Sequence, residues 1–476
     1  MDFDPNAVLL EWAAGARWTI RDSFSGVQVL GATGSGKSSG SLPRIFESYL
    51  RSGYGGLFLT VKPEDRSIYE RYVRNAGRFD DLRLFSPRAD LRFNFIASEM
   101  EQSAEPVGLA ENIMKLIMTV AELGARNNGS RGGSDNAEYF RLAAEQLCYY
   151  VLLILVLSGL EVSVPNLHRF LLSIARSREE SLSDGWQQNS FCFQCLKAAD
   201  KAPKSPSHLE DFKMATGFLM EEWPSMNSRT RTTVESTLTT ATGSLGRGLV
   251  RDMVSAPRSN FSPSMLFDGA IVIADFPVLQ YRDVGQQIQV ILKYCVQRAA
   301  ARRDVSRNPR GVFIGADEHQ YLAVDADQVA QTTARSSHLA VVNATQSLST
   351  YLAAFGPQSE AKVHSLLGNL QTQIFHQQTD TETIRYIQEL IGRSRQFMMN
   401  GNSARGGDWL APLFGNSSGG SAGFSETYEY ELQARDLNGL AKGGPPHFTT
   451  EAIVYQGGRT FPNGRTWLPV TFMQKR

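Results

Sequence analysis

Short apolar runs alternate along the first hundred residues with stretches that carry an apolar residue every third or fourth position. Val27-Gln-Val-Leu30 predicts a strand, and Leu42, Ile45, Phe46, Tyr49 and Leu50 predict a helix after it, because those positions share one helical face. A strand at Gly56–Val61, a helix over about Asp65–Asn75 and a strand at Leu82–Phe85 continue the alternation. The pattern then turns helical, with segments at Val107–Leu123, Ala137–Leu157, Val164–Ile174 and Glu210–Met220. Polar breaks at 126–135 and 201–206, rich in Gly, Ser and Pro, read as exposed loops. Alternation resumes with strands at Ala270–Ala274, Val312–Ala316, Leu339–Val342 and Gln373–Phe375. Between them, the helix Val284–Arg303 places Val284, Ile288, Ile291, Leu292, Cys295 and Ala299 on one face.

Strand–helix alternation means a mostly parallel sheet covered on both faces, so the fold class is α/β with an inserted all-α domain. Thr379-Asp-Thr-Glu382 has capping-box spacing and is expected to open a helix at Ile384–Ile391. Residues 400–423 are Gly/Ser-rich apart from Trp409-Leu-Ala-Pro-Leu-Phe414, and short strands follow at Ala452–Tyr455 and Leu468–Phe472. The expected division is therefore 1–99 and 227–399 for two parts of one nucleotide-binding domain, 100–226 for the helical insertion, 400–424 for a loop, and 425–476 for strands completing the domain.

Composition narrows the class. The 476 residues exceed the ~250–300 over which one core usually grows, so more than one structural unit is expected. Lys plus Arg and Asp plus Glu both number 48, so no global field favours nucleic acid or membrane; local cations repeated around a ring would still suffice for DNA. Cys192-Phe-Gln-Cys195 lacks a second pair or a His at zinc spacing and reads as a buried thiol pair in a reducing compartment. The apolar run Leu147–Leu157 is eleven residues against the ~20 needed to span a bilayer, and no signal peptide opens the chain. A cytoplasmic protein with no intrinsic membrane span is expected, with any recruitment to the membrane left to partners.

The predicted strand at 27–30 runs directly into Gly31-Ala32-Thr33-Gly34-Ser35-Gly36-Lys37-Ser38, followed by Ser39, a complete phosphate loop (Walker A). Gly31, Gly34 and Gly36 let the backbone aim N–H groups at phosphate oxygens, Lys37 reaches the β- and γ-phosphates, and the Ser38 hydroxyl ligates Mg²⁺. A helix N-terminus after the loop adds its dipole to the anion site. Gly311-Val-Phe-Ile-Gly-Ala-Asp317-Glu318 ends a second apolar strand in two carboxylates, a Walker B pattern in which Asp317 holds the Mg²⁺ shell and Glu318 polarises the attacking water. Ala270-Ile-Val-Ile-Ala-Asp275 is a competitor that lacks the adjacent Glu.

In order along the chain, these blocks resemble the TraG/TraD type of type IV secretion coupling protein, within the FtsK/HerA superfamily of RecA-like ATPases. The resemblance covers roughly residues 26–395. It rests on the phosphate loop with Pro43, which looks like the family's helix-interrupting proline, and on Asn136-Ala-Glu-Tyr-Phe140 with Ala144. It continues through Ala334-Arg335-Ser-Ser-His-Leu339, Asn343-Ala-Thr-Gln346-Ser-Leu348, Leu367-Gly-Asn369, Asp380-Thr-Glu-Thr383 and Gly392. Two features depart from the pattern. Family members begin with paired transmembrane helices, whereas thirty residues precede this loop, and Thr60-Val-Lys62-Pro-Glu64-Asp65 stands where the family has Asp-Pro-Lys-Gly-Glu.

The resemblance implies a RecA-like fold and a homohexameric ring motor that hydrolyses Mg-ATP to translocate DNA or nucleoprotein. It implies that Gln346 senses the γ-phosphate and that Arg335 is supplied to a neighbour's nucleotide. Any DNA contact would be sequence-independent, with Arg126 and Arg131 of the helical insertion facing one mouth of the channel. The cluster Arg302, Arg303, Arg307 and Arg310 reads as a solvated loop, and His319 as a surface residue or one just behind the site. A soluble ATPase that gates assembly with a relaxase, nuclease, defence or secretion-system partner, without processive translocation, is the other reading.

Overall fold

The computed structural model describes residues 4–102, 106–127, 135–402 and 421–474. Its strands are β1 Val8–Glu11, β2 Arg17–Thr19, β3 Val27–Leu30, β4 Gly55–Leu59, β5 Leu82–Phe85, β6 Ile271–Ala274, β7 Val312–Ala316, β8 Leu339–Thr345, β9 Thr372–His376, β10 Arg393–Asn402, β11 Ser421–Tyr430, β12 Thr449–Gln456 and β13 Trp467–Met473. Nine of them form one sheet in the order β13-β12-β9-β3-β8-β7-β4-β6-β5. From β9 to β5 every pair is parallel; β12 joins β9, and β13 joins β12, antiparallel. The fold is α/β, as the alternation predicts.

Successive residues of a strand face opposite sides of the sheet, and the central strands use both sides for burial. Leu57, Leu59, Val312, Ile314, Leu339 and Val341 enter one core, while Phe58, Phe313, Ala340 and Val342 enter the other. The second core holds the β1–β2 hairpin, the helices Ser41–Arg51 and Asp65–Asn75, and stacked rings such as Phe58–Tyr69 at 4.4 Å and Tyr49–Tyr54 at 4.9 Å. Two strand glycines make room for these rings. A Cβ on Gly56 would stand 2.2 Å from the Phe313 ring, and one on Gly315 would stand 2.5 Å from Phe46.

Among the described residues, the named elements between β5 and β6 are all helical. Pro106–Asn127, Asp135–Leu157 and Ser228–Leu245 pack on one another, and the helix Val278–Arg302 packs against Pro106–Asn127. One apolar cluster therefore runs from Leu57 and Val312 through Ile291 to Leu152 and Leu238, joining the helical layer to the sheet.

Several expectations are corrected. The helix Ser228–Leu245 carries too few apolar residues to announce itself; Val234, Leu238, Ala241 and Leu245, with Thr242, supply its buried stripe. The ends of the Gly/Ser-rich stretch form the antiparallel pair β10–β11 rather than loop, and residues 403–420 lie outside the described residues. The cap of the helix Thr381–Ile391 is Asp380, not Thr379: its carboxylate accepts the Thr383 N–H at 2.9 Å. The arginines before β7 are mostly used internally. Arg302 pairs with Glu99 at 2.7 Å, Arg303 donates to Ser337 O, and Arg310 to Gly53 O, leaving Arg307 exposed beside Asp304. The apolar stretch at 147–157 belongs to a longer one: Glu138–Leu157 is long and apolar enough to cross a bilayer, and half of it is buried against protein. As the sequence predicts, both Cys192 and Cys195 are buried free thiols.

Candidate functional site

The parallel strands β9, β3, β8, β7, β4 and β6 all end at one edge of the sheet, where open parallel sheets bind ligands. Residues 31–40 leave β3 there and turn into the helix Ser41–Arg51. Gly34 and Gly36 have φ of 74° and 88°. A side chain at Gly36 would also meet Thr450 Oγ1 at 2.7 Å and Lys442 O at 3.0 Å, so glycine is required twice over. An open turn, closed by Gly40 N–H to Gly36 O at 2.8 Å, precedes the helix. Pro43 lies in the first helical turn, where its missing N–H breaks nothing, so it does not interrupt the helix.

The loop is fastened from both flanks. Ala32 N–H donates to Gln377 O at 2.9 Å, Thr450 Oγ1 donates to Ser35 O at 2.8 Å, and Gln474 Nε2 donates to Ser39 Oγ at 2.8 Å. Beneath it, buried His376 meets Ser41 Oγ at 2.8 Å; burial, and then Lys37, push its pKa down to about 3. Thr33 faces solvent.

Across from the loop, β7 delivers the two carboxylates. Ser38 Oγ donates to Asp317 Oδ2 at 2.6 Å, so the hydroxyl and the carboxylate predicted to share a divalent ion are adjacent. Lys37 is buried and curls back to Gly31 O at 2.6 Å. Burial lowers its pKa, with Asp317 and Glu318 acting the other way. Glu318 sits in the left-handed region, φ 53°, which turns its side chain out of line with the strand. Three side chains address its carboxylate: Lys62 Nζ at 2.7 Å, Gln320 Nε2 at 3.0 Å and Gln346 Nε2 at 3.4 Å from each oxygen. Burial would raise the pKa of this carboxyl, but the bonds from Gln320 and Lys62 outweigh it and hold it below the ordinary value.

Ser38, Asp317, Glu318, Lys37 and Gln346 thus converge, and Arg335 does not. It is exposed in the turn before β8, at the amino ends of the parallel strands, with the seven-residue length of β8, ~20 Å, between it and Gln346. Asp275 ends β6, two strands from β7, and is paired with Arg66 at 2.9 Å. His319 is buried rather than at the surface. Its Nδ1 meets Tyr351 Oη at 2.9 Å and its Nε2 lies 3.5 Å from Asp327, which Lys293 contacts at 2.5 Å. Arg126 donates to Ala323 O and lies over the Phe355 ring, while Arg131 lies outside the described residues.

Lys62, Gln320, Thr450 and Gln474 were not singled out by spacing. For Lys62 the signal was present, a cation just past the end of a predicted strand. For Thr450 and Gln474 there was none, since they follow the loop by more than four hundred residues.

The residues present suit a nucleotide phosphate chain and one hard divalent ion. The Ser35 hydroxyl and the Gln377 side-chain oxygen are buried beside the loop without a hydrogen-bond partner. Mg²⁺ commonly takes one or two protein oxygens and completes its shell with phosphate and water, which matches Ser38 and Asp317.

Residues 316–437 match the family model described as the TraM recognition site of TraD and TraG. No curated protein sequence matches the chain. Among solved structures it is similar to the bacterial conjugative coupling protein TrwBdeltaN70 in its unbound monoclinic form, at 15% identity and a TM-score of 0.57 over 100% of this chain and 90% of that one. The plasmid coupling protein TrwB in complex with ADP and Mg²⁺ matches with the same identity, TM-score and coverage. TrwB in complex with the non-hydrolysable ATP analogue ADPNP matches at 15% identity and a TM-score of 0.57, over 100% and 91% of the two chains. Motif series, matched segment and whole-chain fold agree on one resemblance, to the type IV secretion coupling proteins of the TraG/TraD type.

Proposed function

We propose that this chain is an Mg²⁺-dependent ATPase that works as a homohexameric ring and translocates DNA or nucleoprotein. The observation that carries the reading is the meeting of Ser38 with Asp317 at 2.6 Å beside Lys37, with Glu318 and Gln346 on the adjoining strand ends. In this reading, residues 31–39 cradle the phosphates through backbone N–H groups, and Lys37 leaves Gly31 O for the β- and γ-phosphates. Ser38 and Asp317 would hold Mg²⁺, which would supply neutralisation of charge on the phosphate oxygens. Glu318 accepts the proton of the attacking water, and Gln346, in reach of Glu318, relates the state of the γ-phosphate to β8. The likeness to TrwB, solved with ADP and Mg²⁺ and with an ATP analogue, supports the choice of substrate and ion.

Two substitutions test the chemistry. Lys37→Ala is expected to abolish nucleotide binding, whereas Glu318→Gln keeps binding and loses turnover by ~10²-fold or more, because only proton acceptance is removed. Wild-type turnover in Glu318→Gln would remove Glu318 from the mechanism. The match of 316–437 to a TraM recognition segment favours a second reading, in which nucleotide gates docking to a protein partner. ATPase activity stimulated by DNA of any sequence, and losing that stimulation with added salt, supports the motor. Activity indifferent to DNA and altered only by a protein partner supports the gate.

A further inference from the structure

Lys62 stands three residues past the end of β4, and its side chain is 33% exposed while that of Glu318 is 5% exposed. Its backbone is clamped. The Val61 and Lys62 N–H groups both donate to Asp65 Oδ2 at 2.7 Å, and Thr60 is held on both its N–H and C=O by Gln289. The rigid part of this residue is therefore its main chain, and the four-carbon stem is the part free to swing.

The ammonium caps a carboxylate that must accept a proton if the site hydrolyses a phosphoanhydride. With Lys62, Gln320 and Gln346 all donating, Glu318 is a poor base. Gln320 is locked by Thr345 Oγ1 at 2.6 Å and Gln346 stands off at 3.4 Å, so Lys62, the closest donor and one-third exposed, is the one whose departure would free the carboxylate most. The ammonium is best received by another anion, since exchange for water alone leaves its charge without a partner. Asp317 is engaged by Ser38, and on the nucleotide reading a phosphate held by the loop would be the other anion offered to Lys62.

We infer that Lys62 is a second phosphate-facing cation, resting on Glu318 before a triphosphate binds and transferring to its γ-phosphate afterwards, which frees Glu318 for the attacking water. This rests on the nucleotide reading proposed above and adds a residue to it. Lys62 and Lys37 are the two lysines whose charge acts on Glu318, so the site would grip a triphosphate from both walls while a diphosphate meets Lys37 alone.

Fluorescent ADP and a fluorescent non-hydrolysable ATP analogue, each with Mg²⁺, titrated into wild type, Lys62→Met and Lys62→Arg provide the test. Loss of one charge-assisted hydrogen bond to the γ-phosphate is expected to weaken the ATP analogue ~10- to 100-fold in Lys62→Met and leave ADP within about twofold. Lys62→Arg should recover part of the loss. Unchanged affinity for both ligands in Lys62→Met, or equal weakening of both, overturns the inference while the nucleotide site stands. Unchanged analogue affinity with faster turnover would make Lys62 only a brake on Glu318 and also overturns it. If wild type binds neither ligand, the nucleotide reading itself fails. Matching thermal unfolding of the three proteins excludes misfolding as the source of any loss.

Discussion

At the scale of single residues, the site is made by a few side chains whose ordinary behaviour is altered by burial. His376 is the clearest case. Its pKa is lowered to about 3 by burial, so the folded state holds the ring neutral where the unfolded chain, near 6.5, would protonate it. Between those values the unfolded state binds more protons, and stability is lost as pH falls, by about 1.4 kcal/mol per unit. Asp65 acts in the opposite sense: burial raises it to about 6, so its contribution falls as pH rises from near 4 to 6. The readout is therefore the difference between wild type and His376→Gln in urea unfolding at pH 7, 6 and 5. The wild type should lose stability relative to the variant as the solution is acidified, and parallel curves would mean that His376 titrates normally. Which residues converge at the candidate site was largely legible at this scale. Gly31 to Ser39, Asp317 and Glu318 could be named because phosphate and metal chemistry demands those types at fixed spacing beside strand ends. Thr450, Gln474 and the environment of His376 were not, since nothing local in the sequence records contacts closed from more than three hundred residues away.

Among elements, the helix Val278–Arg302 does the most to connect the molecule. It is buried nearly all round and carries a polar line, Gln289, Lys293 and Gln297, one turn apart. Gln289 holds the end of β4, while Lys293 and Gln297 both donate to Asp327, which follows β7. Burial alone would raise the Asp327 carboxyl, but Lys293 and His319 keep it well below the carboxylate range. Lys293→Ala would leave that carboxylate buried without its cation, and a loss of ~3–5 kcal/mol is expected in chemical unfolding. A loss under 1 kcal/mol would mean that water enters to replace the ammonium. The apolar face of this helix was readable from its period. Its polar line was not, because a buried Lys or Gln is indistinguishable in sequence from a solvated one. The helix Ser228–Leu245 and the β10–β11 pair escaped for the related reason that Ser, Thr and Gly give weak periodic signals.

For the whole molecule, the placement of Arg335 matters most. It lies at the end of the sheet opposite its own phosphate loop, so if it stabilises a transferring phosphoryl group it does so in an adjacent copy. A finger of that kind contributes ~10³–10⁵ in rate. Arg335→Ala and Lys37→Ala proteins should each be inactive alone and should recover partial ATPase activity when mixed, because some interfaces then pair an intact pocket with an intact arginine. A mixture that stays inactive, with mixed rings visible by native mass spectrometry, would make Arg335 structural.

The fastening of the loop by β12 also dictates an order of assembly during synthesis. Ser35 and the Thr450 hydroxyl that holds it are 415 residues apart, which takes about 20–80 s to translate at ~5–20 residues per second. Throughout that interval a nascent chain displays the signature loop with its eventual floor still unmade. Ribosome-bound intermediates that lack β12 should therefore bind nucleotide more weakly than the released chain. The loop gains this fastening late, when the β12–β13 hairpin docks on β9.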